Sequence, residues 1–354
     1  MNIWQIACGE PARDYQDVFL RHDVMLIGPG RPGPFDEKTY RKALKADEVS
    51  LNQCHQIRSF KEKPMPGDLV LLRIGHKVIR IGVIPESGKG SYAWSEAFDD
   101  ILGWDVRHCR RVIWGTPRSA APLMTGRPLF SNYKQQPTFT RIHERRITRL
   151  ARHLARRVSR RRLKRLPPET KEMSLEDFGV RLFQDGLANE SIERAIDAIE
   201  RARRLGSWYN ERYLSGREPS EHEIIAHTTV PLMLALGWSE QLLAVEWEHI
   251  DLAFFDRTPT NAQRCVMICE AKRPHKPLES ALEQAKRYVS EKQLKHCRKI
   301  LLTTGTRLQT YRRRGNKWQL DGYANLMKLR MNHVIPRGVS ASATLMNLVP
   351  ARIG

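Results

Sequence analysis

The sequence predicts an α/β protein with more than one domain, and three observations lead there. The N-terminal part alternates short apolar runs with Gly- and Pro-rich turns, a β-rich texture. The middle repeats apolar residues at helical spacing inside a dense field of arginines. The last part sets apolar strands between helical segments, the pattern of a mixed central sheet flanked by helices. A length of 354 residues allows two or three domains, each able to bury an adequate core. The textures divide the chain into residues 1–117, 118–217 and 218–354.

In the first part, residues 3–7 form a strand candidate, 15–20 a short helix and 24–28 a second strand, closed by the turn-rich PGRPGP. Pro66-Gly67-Asp68 turns into a strand over 69–73. The stretch 78–84 follows across Gly75-His76-Lys77, which predicts a hairpin. The closing stretch, 103–114, alternates and would place Val106, His108 and Arg110 on one face.

The middle opens with an irregular linker from Pro117 to Pro137. One helix is then expected over 141–166, because Ile147, Leu150, Leu154 and Val158 recur at spacings of three and four. Around that stripe stand Arg145, Arg149, Arg152, Arg156, Arg160 and further basic residues, opposed only by Glu144. Charge at this density penalises folding unless phosphates or acidic residues sit nearby, and phosphate contact is the preferred explanation. These arginines therefore read as contacts to a nucleic-acid backbone, with strongly salt-dependent binding. Pro167-Pro168 stops the helix. Ser174-Leu175-Glu176-Asp177 starts another. An amphipathic helix from Asn189 to about Leu205 follows, with Ile192, Ala195, Ile196, Ile199 and Ala202 on its apolar face.

The third part carries the chemistry. A helical segment covers 220–238, a strand 245–255, a second strand 265–273 and a further helix ends at 284–288. Glu270 and Lys272 are two apart, so on a strand they share a face while Ala271 takes the other. The preceding run, Val266-Met267-Ile268-Cys269, is continuously apolar, as in a strand buried on both sides. A buried strand that runs into charges is costly unless those charges have partners or a task. Asp251 likewise sits against Ile250 and Leu252. Two carboxylates and one ammonium suit a hard divalent cation, Mg2+ or Mn2+, bound through oxygen with waters retained. Such a cation activates water and neutralises a phosphodiester, while the lysine orients or deprotonates the nucleophile.

Bulk properties agree with a polyanionic partner. Lys+Arg number 60 and Asp+Glu 39, a formal net charge of +21, and nucleic acid is the usual counterpart. The six cysteines show no paired Cys-x-x-Cys spacing, which argues against zinc or a disulfide framework and fits a reducing cytoplasm. No signal peptide, membrane span or GxxxxGK[ST] phosphate loop is expected.

Asp251, an interval of 19 residues (270 − 251) and Glu270-Ala271-Lys272 resemble the PD-(D/E)xK nuclease superfamily. The likeness is to the nuclease domain of type I restriction motor subunits and covers about residues 218–350. Glu221, sixteen positions before Gly237 (237 − 221), matches an acidic residue on the preceding helix. Gln284 and Tyr288 match a Gln-x-x-x-Tyr on the following helix, and residues 300–305 a strand and its turn. The closing stretch 321–336 also resembles that domain's end. Thr304 stands where the usual Asn precedes the turn glycine. No helicase motor follows, so translocation-driven cleavage is not expected. The resemblance implies a site of Glu221, Asp251, Glu270, Lys272, Gln284 and Tyr288, with Asp251, Glu270 and the Ala271 carbonyl on the metal.

The first part resembles the PUA-like group that includes EVE and YTH domains. Trp4, Pro66-Gly67-Asp68 with its strand, Gly82-Val83 and the Trp104…His108…Arg111-Val112-x-Trp114 close carry that likeness. It implies a PUA-like β-barrel that binds a flipped, modified base, with Trp4, Trp94, Trp104 and Trp114 as candidate walls. His108 and Arg110 are candidate pocket or phosphate contacts. The plainer reading makes the tryptophans core residues, Trp114 above all, and His108 a satisfied structural histidine. Together the resemblances imply a metal-dependent DNA endonuclease in modification-dependent restriction or anti-phage defence, acting on double-stranded DNA. A double-strand cut needs two sites or sequential nicking, which a homodimer would provide. Two competing readings remain. One is a non-catalytic nucleic-acid binder, RNA included. The other is a nuclease indifferent to modification whose first domain binds protein.

Overall fold

The computed structural model describes residues 1–10, 13–86, 90–116, 137–143, 145–155, 158 and 161–353. They form a mixed α/β structure in two compact units, Met1–Glu169 and Thr170–Gly354. The expected connector is not a separate body, since its basic helix falls in the first unit and its later helices in the second. Packing explains the assignment of the basic helix: Ile147 and Ala151 join a core cluster with Ile3, Leu69, Leu71, Val78 and Ile81. The linker expected from Pro117 to Pro137 lies almost wholly outside the described residues. Among the described residues, no helix is long and apolar enough to cross a membrane.

In the first unit the elements run β1 (Ile3–Ala7), β2 (Gly9–Glu10), β3 (Arg13–Asp14), α1 (Gln16–His22), β4 (Val24–Ile27), α2 (Glu37–Lys45) and α3 (Leu51–Glu62). They continue β5 (Leu69–Ile74), β6 (Lys77–Val83), β7 (Tyr92–Trp94), β8 (His108–Arg111), β9 (Ile113–Trp114), β10 (Phe139–Arg141) and α4 (Arg145–Ala155). The expected hairpin forms, with Leu69 opposite Val83 and Ile74 opposite Lys77. Helices α2 and α3 were not expected, although their caps are legible: Asp36 accepts from the Thr39 N–H, and Ser50 and Gln53 make a capping box.

The expected barrel does not close among the described residues. A five-stranded sheet in the order β10-β1-β5-β6-β9 has β10 and β9 as its two edges, and β4-β8-β7 make a separate sheet. The cause lies at Val112, whose N–H donates to the Asp23 carbonyl instead of a strand partner. The stretch expected as one strand over 103–114 is therefore split. β8 pairs with β4 and β9 with β6, and Val106 lies outside both.

The second unit opens with α5 (Leu175–Gln184), capped by Ser174 as expected, and α6 (Asn189–Leu214), which runs well beyond Leu205. Next come α7 (Glu221–Ile224), a π-helical stretch Ile225–Thr229 and α8 (Val230–Ala235). Pro231 has no N–H to return to the preceding turn, and the Thr228 hydroxyl donates to the Ile224 carbonyl, so the helix widens there. Strands β11 (Leu243–Trp247), β12 (Ile250–Phe255), β13 (Cys265–Ala271), β14 (Lys299–Thr303), β15 (Arg307–Arg314) and β16 (Lys317–Asn325) form one six-stranded sheet in chain order. β13 and β14 are parallel and the other pairs antiparallel, so the sheet is mixed as expected. Helix α9 (Glu279–Glu291) crosses over between the parallel pair, and α10 (Ala341–Met346) follows the sheet.

Strand alternation sorts the core into two layers. Leu252, Phe254, Met267, Cys269 and Leu301 pack against α5, α6, α8 and α10 through Phe178, Ile199, Leu232 and Leu345. Ala253, Phe255, Ile268, Ile300 and Leu302 pack against α9 through Ala281, Ala285 and Val289. Cys265 and Cys269 are buried in β13 as small apolar residues. Gly305, with φ at 83°, turns the chain after β14. A Cβ there would lie 2.6 Å from the Thr228 hydroxyl, so the turn sits tight on the π-helical stretch.

Candidate active site

The pairing of Leu252 with Cys269, continued by one residue, sets Asp251 opposite Glu270 at one end of the sheet. The Ala271 N–H donates to Asp251 Oδ2 at 2.7 Å. The Lys272 N–H donates to the Thr303 carbonyl at 2.8 Å, which extends the β13–β14 pairing to the lysine. Lys272 Nζ donates to the Ala271 carbonyl at 2.8 Å and lies 3.5 Å from Glu221 Oε2. Glu221 opens α7, where the Ser220 hydroxyl accepts from the Glu223 N–H and fixes the helix start. Four of the expected residues, Glu221, Asp251, Glu270 and Lys272, are thus brought together from three elements.

Glu270 is the anomaly of the group. It is fully buried, and neither carboxylate oxygen makes a hydrogen bond of proper geometry. Burial, and then the Asp251 charge, push its carboxyl up to about 8, although Lys272 and the nearby Asp251 N–H oppose the shift. Burial also raises Asp251, against the Ala271 N–H and Lys272. A buried, unsatisfied carboxylate costs several kcal/mol unless it is protonated or meets a cation.

The donor set suits a hard cation: two carboxylates and the Ala271 carbonyl are all oxygen ligands. Among the described residues, no three His, Cys, Asp or Glu side chains cluster as a ready metal cage. A cation here would keep several waters and would displace Lys272 Nζ from the Ala271 oxygen. Gln284 and Tyr288 lie on α9, on the sheet face to which alternation assigns Glu270. Gln284 Nε2 donates to the Tyr288 hydroxyl at 3.1 Å, so the hydrogen bond they make is with each other.

The first unit does not gather its expected residues in one place. Trp4 is 3% exposed, stacks on Phe139 at 5.1 Å and donates from Nε1 to Asp68 at 2.9 Å. Its ring is core, not a wall for a base. Trp114 is also core, and its Nε1 donates to the Val24 carbonyl at 3.2 Å. Arg110 is buried against the carbonyls of Phe60 and Gly90, at 2.6 and 2.8 Å, which removes it from phosphate contact.

Trp94 and His108 do meet, edge to face at 5.1 Å, and the Arg107 guanidinium covers the Trp94 ring at 4.6 Å. His108 is held by the Tyr92 hydroxyl at Nδ1 (2.7 Å) and by the Tyr40 hydroxyl at Nε2 (2.8 Å). Burial lowers it to about 4, so the ring is neutral. Tyr40 and Tyr92 were not expected, because no local pattern links them to a histidine 68 and 16 residues away. Trp104 is 42% exposed, at the bridge its backbone makes to Ile101.

Arg145, Arg149 and Arg152 are exposed on α4, while Arg156 and Arg160 lie outside the described residues. The helix expected to reach 166 does not: residues 161–170 have no regular secondary structure. The buried Asp23 draws the chain down, accepting from the Arg161 guanidinium at 2.5 and 2.6 Å and from the Lys164 N–H at 2.9 Å. A cavity of about 670 Å³ opens beside this segment, lined by Arg111, Arg161, Arg162, Lys164 and Arg165 among others. Asp23→Ala is expected to cost about 2–4 kcal/mol, because it strips the anchor from a charged, hydrogen-bonded segment. A urea midpoint unchanged from wild type would contradict that role.

No protein-family model matches this chain, and no curated protein or solved structure matches it either.

Proposed function

We propose that the chain is a divalent-metal-dependent endodeoxyribonuclease of the PD-(D/E)xK type, with its chemistry in the second unit. The observation that carries this reading is the fully buried Glu270 carboxylate, without a hydrogen bond, beside Asp251 and Lys272. Asp251, Glu270 and the Ala271 carbonyl would hold Mg2+ or Mn2+, which supplies charge neutralisation at the phosphodiester when bound. Lys272, held between the Ala271 carbonyl and Glu221, orients the attacking water. Glu221 pairs with the ammonium and holds it in place, and Gln284 and Tyr288 position the backbone of the substrate. The net reaction adds one water across one P–O bond: the water oxygen bonds to phosphorus, and the leaving oxygen takes a proton.

The formal charge of +21 and the exposed arginines of α4 support a DNA partner. His108 and Tyr40 are buried and hydrogen-bonded to each other, so a reader of modified bases, and with it a modification-dependent restriction role, draws its support in the first unit from Trp94, under the Arg107 guanidinium, and the exposed Trp104. A second reading has one observation in its favour. Lys272 already occupies the Ala271 oxygen, as in a nucleic-acid-binding scaffold that uses a lysine in place of metal.

A Mg2+-dependent cleavage assay separates these readings. Phage DNAs carrying different base modifications are compared with unmodified plasmid, using wild type and Glu270→Ala. Cutting restricted to modified DNA and lost in Glu270→Ala is the expected result. Equal cutting of all DNAs would remove the reader, and binding without cutting would favour the scaffold.

A further inference from the structure

The C-terminal end of α6 exposes aromatic rings beside the charged cluster. Trp208 is 46% exposed and Tyr213 is 41% exposed, on a helix that turns Ile199 and Tyr209 into the core and also leaves its last residue, Leu214, in solvent. The Arg212 guanidinium lies over the Trp208 ring at 4.7 Å. The same arginine is held by Glu223 at 2.6 Å, two residues from Glu221. Tyr213 stacks on His275 with centroids 3.7 Å apart and planes 29° apart, and His275 follows Lys272 by three positions. Arg273, between them in sequence, pairs with Glu218 at 3.0 Å. Both aromatic groups are thus tied, by side-chain contacts, to the two segments that supply Glu221 and Lys272.

Exposed tryptophan and tyrosine are costly to leave in water, and these two stand where neither closes a core. Tyr213 and His275 are stacked, and the Arg212 guanidinium covers the Trp208 ring, among arginines that balance phosphate charge. Unstacked bases present the matching π-faces, whereas a continuous duplex hides them within its own stack.

We propose that Trp208 with Arg212, and Tyr213 with His275, form a platform for unpaired bases next to the scissile phosphate. The inference rests on the nuclease reading and narrows its substrate: single strands, tails or flaps are preferred over continuous duplex. Trp208 and Tyr213 bind substrate and take no part in bond breaking.

The test uses the full-length protein and three labelled DNAs of one sequence: a single strand, a duplex with an unpaired tail, and a blunt duplex. Binding is measured in Ca2+ and cleavage in Mg2+. The ratio of tailed to blunt affinity cancels the charge-driven binding that all DNAs share. Wild type should favour the tailed DNA and quench Trp fluorescence on binding it. Trp208→Ala and Tyr213→Ala should each lower tailed-DNA affinity about 5- to 150-fold, with the blunt duplex changed less than about 2-fold. Trp208→Phe should restore most of the preference, which separates stacking from misfolding. The platform is overturned if wild type shows no tail preference or if both alanine variants keep it. It is also overturned if Trp208→Ala alters sedimentation mass instead, since the face then joins two copies of the chain. Cleavage that needs Mg2+ and Glu270 but ignores tails would sink the platform alone. An absence of any cleavage would sink the nuclease reading beneath it.

Discussion

Glu270→Gln is expected to abolish cleavage and, in the absence of metal, to make the protein more stable at alkaline pH. The carboxyl is held up to about 8 in the folded protein, against an ordinary value of 4.5. A group raised in this way favours the folded state while it is protonated. Its contribution is fully present below pH 4.5 and is lost as pH rises through about 8. Across that window the metal-free wild type should lose on the order of 3–5 kcal/mol from this group. The neutral amide keeps the volume and removes the titration. In EDTA the two proteins should therefore differ little at pH 5, with the variant clearly ahead at pH 9 in urea unfolding. Added Mg2+ should restore wild type at pH 9, because cation binding favours the ionised carboxylate, and should leave the variant unmoved. Wild type and variant with the same pH profile would show that Glu270 is satisfied by groups other than a cation.

Lys272→Ala should separate cation binding from catalysis. The ammonium sits 2.8 Å from the Ala271 carbonyl and 3.5 Å from Glu221, and it is not itself an oxygen ligand. Its removal should lower single-turnover cleavage by about 10²- to 10⁴-fold, the usual contribution of a positioned proton-transfer or orienting group. Mn2+ affinity measured by calorimetry should stay within a few-fold or rise, since the Ala271 oxygen is freed for the cation. Near-normal cleavage would remove Lys272 from the mechanism. A parallel loss of Mn2+ binding would instead make it a prop for the carboxylates.

Sequence pattern alone placed the sheet that carries this site. The apolar run before Glu270 and the two-residue step to Lys272 are period-2 signals, whereas the single strand expected over 245–255 is two, β11 and β12, and only that break puts Asp251 near a strand start. Such signals depend only on neighbours in the chain. The hairpin of β5 and β6 and the Ser174 cap were legible for the same reason. Short-range pattern was less informative wherever a residue's state is set by a distant partner. Trp4 reads as a candidate base wall until Phe139 covers its ring and Asp68 takes its N–H. The basic helix reads as continuous to 166 until Asp23, 138 residues from Arg161, claims the guanidinium. The barrel was expected until Val112 sent its N–H to Asp23 and split the closing strand between two sheets.

The sequence by itself determined a mixed sheet flanked by helices and the shared face of Glu270 and Lys272, because backbone periodicity orients side chains locally, while the register of β12 on β13 brings Asp251 opposite Glu270. Only the tertiary structure decided that Glu270 is buried without a hydrogen bond, that Trp4 is core and that Trp208 is exposed. Burial depends on which remote segments pack against a residue, and neighbours in the chain do not encode that.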